Sequence, residues 1–336
     1  MTNGRKRVFS GMQPSGNLTL GNYLGALKHW VEDQAKYENF FCIVDLHALT
    51  IPQDPVALKN KTLELTALYI ACGLDPEQLT IFIQSHVVAH VELGWILTCS
   101  SPLGWLNRMT QFKDKAAKQQ SDSVGAGLLT YPALMAADIL LYQTHFVPVG
   151  EDQRQHLEYT RDLAQRFNVL YGNTFTVPDA MIPHAGAKIM GLDNPLKKMS
   201  KSEATEGHAI YLLDTPDVTK KKIMRSMTDS YGEVKYSTDE DRAGVRNLLT
   251  IIEVITGESQ EALEDRFVGR GYGDLKKAVV EIVGSVLQPI RTRYDQIMSD
   301  RSYLMSILHD GASKAHTVAE PTLISVKERL GIINLD

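Results

Sequence analysis

The stretch Val8-Phe9-Ser10-Gly11-Met12-Gln13-Pro14-Ser15-Gly16-Asn17-Leu18-Thr19-Leu20-Gly21-Asn22-Tyr23 sets a short apolar start against a run of glycines and small polar residues. Val8 to Ser10 reads as a strand. Beyond the loop, Leu20, Tyr23, Leu24, Leu27 and Val31 recur at helical spacing on one face. A strand that turns through glycines into a helix lets the backbone approach a ligand closely, and the helix start near Gly21 and Asn22 offers free N–H groups to a phosphate. A merely tight turn is the alternative reading. Gly11, Gly16 and Gly21 lack the spacing of the dinucleotide fingerprint, and no G-x-x-x-x-G-K-[ST] phosphate loop occurs.

Outward from this stretch, the continuous apolar run Phe40 to Val44 fits a strand buried on both faces, and it ends in the polar cluster Asp45 to His47. Asp54 offers a helix N-cap with Pro55 at the first helical position, Leu58, Leu65, Leu68 and Tyr69 follow, and Gly73 supplies a stop. Thr80 to Ile83 reads as a third strand ending in Gln84-Ser85-His86, and His145 to Val149 as a fourth. Gly150-Glu151-Asp152-Gln153 then leads into a helix carrying Leu157, Leu163, Ala164 and Phe167. Strands alternating with helices, with polar residues after each strand, predict an α/β fold: a doubly wound parallel sheet whose site lies at the carboxyl ends of its strands. From about Asp214 the strand signals fade. Leu248, Leu249, Ile252, Val254 and Ile255 sit among many charges, as amphipathic helices require, and Tyr231 to Asp241 is polar enough for a loop.

The chain has 336 residues, which suggests about two domains. No apolar run approaches the roughly 20 residues that span a bilayer, and the start lacks the apolar core of a secretory signal, so a cytoplasmic protein without a membrane anchor is expected. The 3 cysteines, Cys42, Cys72 and Cys99, are far apart and read as buried thiols rather than a zinc site or disulfide framework. A net charge of −5 argues against coating nucleic acid through the overall field.

Two further segments carry chemistry. Lys197-Lys198-Met199-Ser200-Lys201-Ser202 follows Pro195 and puts lysines three apart beside serine hydroxyls, a pairing that suits a polyphosphate; alone, such a run reads as solvated surface. In Leu134 to Tyr142, Asp138 shares the apolar stripe of Leu134, Met135, Leu141 and Tyr142. A carboxylate on that face needs a donor. The donor is either an indole N–H of a substrate or a basic group or backbone N–H of the protein itself.

Lys198-Met199-Ser200-Lys201-Ser202 together with Thr19-Leu20-Gly21-Asn22 resembles the signature pair of the class I aminoacyl-tRNA synthetases, in the bacterial tryptophanyl branch, where Thr and Asn stand at the outer positions of the second motif. Phe9 to Gly16, Met109 to Lys113, Tyr131 to Leu141 and Gly150 to Gln153 are also similar to that branch, so the likeness spans nearly the whole chain. Two departures, Leu46 and Glu203, remove no catalytic group. The resemblance implies a Rossmann-like catalytic domain over 1–205, including a connecting insertion and the lysine-serine loop, and a helical anticodon-binding domain over 206–336. It implies activation of L-tryptophan by ATP with Mg²⁺, transfer to tRNA(Trp), and a homodimer.

Residue by residue, the resemblance gives Gln13, Lys113, Lys198 and Lys201 to catalysis; Lys113 reads otherwise as an exposed helix lysine. ATP is expected at Gln13, Ser15, Thr19, Gly21, Asn22, Gly150, Asp152, Gln153, Ile189, Lys198, Met199, Ser200, Lys201 and Ser202. Tryptophan is expected at Phe9, Gly11, His47, Tyr131, Met135, Asp138, Val147, Val149 and Gln153. His47 reads equally as a satisfied structural histidine, and Glu151 and Asp152 as acids favouring a helix start. No protein-held metal, iron-sulfur cluster or editing domain is expected. Lys220, Lys221, Lys222 and Arg225 form a local basic cluster, and Arg242 to Leu249 resembles the family's anticodon-side segment. The rival readings are a tyrosyl-tRNA synthetase, a nucleotidyltransferase of the same fold that acts without RNA, and a catalytically inactive RNA-binding relative.

Overall fold

The computed structural model describes residues 4–116, 124–150, 153–181, 188–200, 205 and 207–334. Within them the strands β1 (Arg7–Met12), β2 (Glu38–Ile43), β3 (Thr80–Ile83), β4 (Phe146–Pro148) and β5 (Asp179–Met181) form one parallel sheet in the order β3-β2-β1-β4-β5. The four strands expected from apolar runs are present. β5 was not expected, because its first two residues are exposed and it has only three, too few for a pattern to show.

β2 alternates between two cores. Phe41 and Ile43 enter one cluster, while Phe40, Cys42 and Val44 just beyond the strand enter the other. β3 does the same, with Ile81 and Ile83 on one side and Phe82 on the other. This double burial explains the unbroken apolar runs, since neither face meets water.

The first helix starts as Leu20–Asn22, widens through a π-helical turn at Tyr23–Leu27 and continues as Lys28–Asp33. Asp54 caps the helix Pro55–Ala71 by accepting from the Ala57 N–H at 2.7 Å, with Pro55 at the first position. Gly73 ends that helix region at φ +112°, a backbone region that side chains rarely adopt. After β5, the described residues hold no further strand, and the helices Pro216–Met224, Ala243–Thr256, Gln260–Arg266, Tyr272–Ser299 and Arg301–Leu330 follow. The last helix returns to the sheet. A Cβ added at Gly311 would lie 1.8 Å from the Ile81 carbonyl oxygen, so this helix lies directly on β3, an edge strand.

Two sequence expectations are corrected, on the basic cluster and on the cysteines. Lys222 is 8% exposed and spends its ammonium on Asp214 (2.7 Å) and the Ala209 carbonyl (2.8 Å), leaving Lys220, Lys221 and Arg225 as the exposed part of the basic cluster. In the segment 242–249 only Arg246 escapes burial, because the apolar face of the helix Ala243–Thr256 packs inward. Cys99 is exposed, whereas Cys42 and Cys72 are buried and burial raises both thiols, Cys72 to about 12.

Candidate active site

Strand order reverses between β1 and β4, where neighbouring connections run to opposite sides of the sheet and leave a crevice at the strand ends. A cavity of about 480 Å³ occupies it, a size ordinary for a small-molecule site. All nine residues expected around tryptophan line this cavity. Phe9 and Gly11 come from β1, and Val147 and Val149 from β4 and the residue after it. Tyr131, Met135 and Asp138 come from the helix Ala126–Leu140, with His47 from the short helix Asp45–Ala48 and Gln153 just before Arg154–Tyr171. At Gly11 a Cβ would stand 3.0 Å from Val44 Cγ1 and intrude on this floor.

Asp138 is 1% exposed and holds three donors. His47 Nε2 donates to Oδ2 at 2.7 Å; Gln84 Nε2 and His90 Nδ1 donate to Oδ1, each at 2.6 Å. The reading in which the protein's own side chains supply the donors is therefore realised, and Asp138 also stands on the cavity wall. Burial pushes the carboxyl upward, but the His47 charge and the hydrogen bonds from His47 and His90 outweigh it and hold Asp138 well below the usual carboxylate range. It is an ionised acceptor in an apolar wall. A carboxylate has about four lone-pair sites, so three donors leave one for a ligand. Tyr131, partly buried, bonds His156 Nε2 through its hydroxyl at 2.7 Å, and burial raises its phenol to about 12.

The two signature segments meet each other. Thr19 caps the first helix: its hydroxyl accepts from the Asn22 N–H (3.1 Å), while Asn22 Oδ1 accepts from the Thr19 N–H (3.0 Å). Their side chains thus fix the turn, and a Cβ on Gly21 would touch Met199 at 3.4 Å. Met199 is buried and its N–H donates to the Ile189 carbonyl at 3.0 Å, with Met190 bridged to Lys198. Asn247 grips the same hairpin, donating to the Met190 carbonyl (2.9 Å) and accepting from its N–H (2.8 Å). His208 donates from Nε2 to the Lys198 carbonyl (3.2 Å) and pairs with Asp193 (2.6 Å).

Lys198 and Lys113 are exposed, as are Gln13, Ser15 and Gly150; Ile189 is buried and Ser200 half-buried. Gln13 joins Gln153 on the cavity wall. Asp152, Lys201 and Ser202 lie outside the described residues.

Gln84, His90 and Gln111 were not identified as site residues from sequence. Gln111 lines the cavity from the quoted segment Met109 to Lys113. Gln84 had a usable signal, a polar residue directly after a buried strand. His90 had none, being one histidine on a largely apolar helix, Ala89–Ser100.

Among the described residues no group of three carboxylate, histidine or cysteine side chains stands together as a metal cage. Of the side chains lining the cavity only Asp138 is a carboxylate, and its oxygens are engaged by His47, Gln84 and His90, so Mg²⁺ fits as a companion of ATP phosphates, keeping its own waters.

The family model for tRNA synthetases class I (W and Y) matches residues 1–288. A tryptophan–tRNA ligase of Wolinella succinogenes is 54% identical over 329 residues, covering 98% of this chain and 99% of its own. Among solved structures, tryptophanyl-tRNA synthetase of Mycoplasma pneumoniae is 38% identical with a TM-score of 0.87, covering 98% of each chain. That of Campylobacter jejuni, complexed with ADP and tryptophan, is 38% identical with a TM-score of 0.86, covering 97% of this chain and 100% of its own.

Proposed function

We propose, from the premise that the chain belongs to the class I tRNA synthetases of the tryptophan and tyrosine group, that it acts as a tryptophan–tRNA ligase. It activates L-tryptophan with ATP and transfers the amino acid to tRNA(Trp). An oxygen of the tryptophan carboxylate attacks the α-phosphorus of ATP, the bond to the bridging oxygen breaks, and pyrophosphate leaves. A ribose hydroxyl of the terminal adenosine of the tRNA then attacks the carbonyl carbon of tryptophanyl-AMP, and AMP departs.

The observation that carries this reading is an ionised, buried Asp138 on the wall of a cavity of mixed apolar and polar lining at the switch point of the sheet. An indole N–H satisfies its remaining lone pair, while Phe9, Met135, Val147 and Val149 pack on the ring. Tyr131, Gln153 and His47 border the polar end of the amino acid, His47 doing so while its Nε2 stays on Asp138. A substrate without a matching donor leaves a buried charge short of a partner, which is expensive.

Phosphoryl transfer depends on positioning and on neutralising the charge that develops on the leaving group. Lys113, Lys198 and Lys201 take that charge, with Mg²⁺ arriving on the phosphates of ATP. Gln13 approaches the α-phosphate. The capped turn at Thr19, Gly21 and Asn22, together with Ser15, Gly150, Asp152, Ile189, Met199, Ser200 and Ser202, surrounds the nucleotide. Residues 1–205 supply this chemistry and 206–336 the tRNA-facing helices, where exposed Lys220, Lys221 and Arg225 meet phosphates.

The working form is a cytoplasmic homodimer. A shallow depression of about 520 Å³ lined by Leu49, Val91, Trp95 and Leu134 shares His47 and Tyr131 with the cavity, and Trp95 is 70% exposed, which suits a partner surface beside the active site. No helix among the described residues is long and apolar enough to cross a membrane.

The test is exchange of labelled pyrophosphate into ATP with tryptophan or tyrosine and Mg²⁺. Exchange with tryptophan alone is expected; exchange with tyrosine moves the assignment to tyrosyl-tRNA synthetase, and exchange with neither removes the activating chemistry.

A further inference from the structure

His90 does not line the cavity, yet it completes a chain of polar contacts that starts there. Its ring is fully buried, in the helix Ala89–Ser100, with Nδ1 on Asp138 Oδ1 at 2.6 Å and Nε2 on the Tyr142 hydroxyl at 2.7 Å. An ionised carboxylate only accepts, so Nδ1 carries the hydrogen, and in the neutral ring Nε2 accepts from the Tyr142 hydroxyl. The carboxylate therefore selects the tautomer, and the hydroxyl holds the far side of the ring. Tyr142 is itself fixed, stacked at 5.5 Å on Phe9, which walls the cavity, and at 4.7 Å on Phe40.

Gln84 closes the arrangement from the other side. Its amide donates to the same Oδ1 at 2.6 Å, and its Oε1 accepts from the Leu46 N–H at 3.2 Å, beside His47. Oδ1 thus has both lone pairs taken by groups behind the wall, while Oδ2 has one taken by His47. The vacancy is confined to the oxygen that His47, a cavity residue, also touches.

We propose that His90 is a positioning residue for substrate specificity: held by Tyr142, it occupies Asp138 Oδ1 so that Oδ2 alone presents an ionised acceptor to the indole N–H of tryptophan. The proposal rests on the reading of Asp138 as the indole acceptor. Without His90, a buried carboxylate loses a donor, turns more freely and protonates more readily, and a protonated oxygen ceases to be a reliable acceptor. The selection lost is for the N–H specifically. Apolar contacts to the ring stay.

The experiment compares kcat/KM in pyrophosphate exchange for tryptophan and for β-(benzothiophen-3-yl)alanine, in which sulfur replaces the indole N–H in a ring of similar shape. The wild-type protein is expected to favour tryptophan; equal rates would refute the Asp138 reading itself, before His90 is considered. Given wild-type preference, His90→Leu is expected to reduce the tryptophan-to-analogue ratio about tenfold or more, with KM for ATP unchanged. His90→Asn, whose amide can still donate near the Nδ1 position, is expected to restore most of the ratio. A ratio unchanged in His90→Leu, even with both rates lowered, makes His90 a packing residue and overturns the proposal. Should His90→Leu fail to fold, Tyr142→Phe decides: it keeps the stacked ring and removes only the hydroxyl, so a lowered ratio supports the proposal and an unchanged one overturns it.

Discussion

A single carboxylate shows how much of the site could be read from the sequence. Helical spacing was enough to bury Asp138 and to demand a donor, but spacing along one helix does not reveal that its donors come from residues 47, 84 and 90 on three other elements. Those partners are brought together by the sheet, not by the chain. Their electrostatic consequence is testable. Because the folded carboxyl titrates below its unfolded value, it adds stability at pH above about 4, the ordinary Asp range, and loses it as pH falls further. Asp138→Asn is expected to cost roughly 2–3 kcal/mol at pH 7 by mispairing buried donors. In thermal melts the gap between wild type and variant should narrow below about pH 4; a gap that widens there contradicts the sign.

The elements were legible wherever burial on both sides wrote an unbroken apolar run, as in β2 and β3, or where a cap and a proline marked a start, as at Asp54 and Pro55. β5 escaped because an exposed three-residue strand carries no pattern. The hairpin that ends in Met199 was legible as a motif but not as an anchored object. Its polar hold on the helix Ala243–Thr256 includes Asn247, which satisfies both polar groups of the Met190 backbone, beside the apolar cluster that Ile189 and Met199 share with Val245 and Leu248. Asn247→Ala leaves those groups unpaired at a cost of about 1–3 kcal/mol each if they stay buried. The expected result in exchange kinetics is a KM for ATP raised about tenfold, with KM for tryptophan little changed. Equal rises in both would place the effect on the fold as a whole.

At the scale of the molecule, amphipathic patterns announced the helical second half, but not that Lys222 turns inward or that the final helix comes back to the sheet. Long-range return leaves no local trace, because an alanine- and glycine-containing helix face looks the same against any surface. The exposed Trp95 is a whole-molecule feature of the same kind. For the proposed homodimer, Trp95→Glu is expected to give a monomer in light scattering and to reduce tryptophan activation, since the depression shares His47 and Tyr131 with the cavity. A monomeric wild type, or a variant that stays dimeric, rejects that surface.

The return of the last helix also orders events during synthesis. β3 leaves the ribosome more than 200 residues before Gly311, the residue that lies on it. At about 5–20 residues per second, the outer strand of a nearly complete sheet spends tens of seconds without its cover, with backbone groups open to any passing strand. Chains that lack the last helix are therefore expected to aggregate more readily than the full chain, because β3 then stays an open edge.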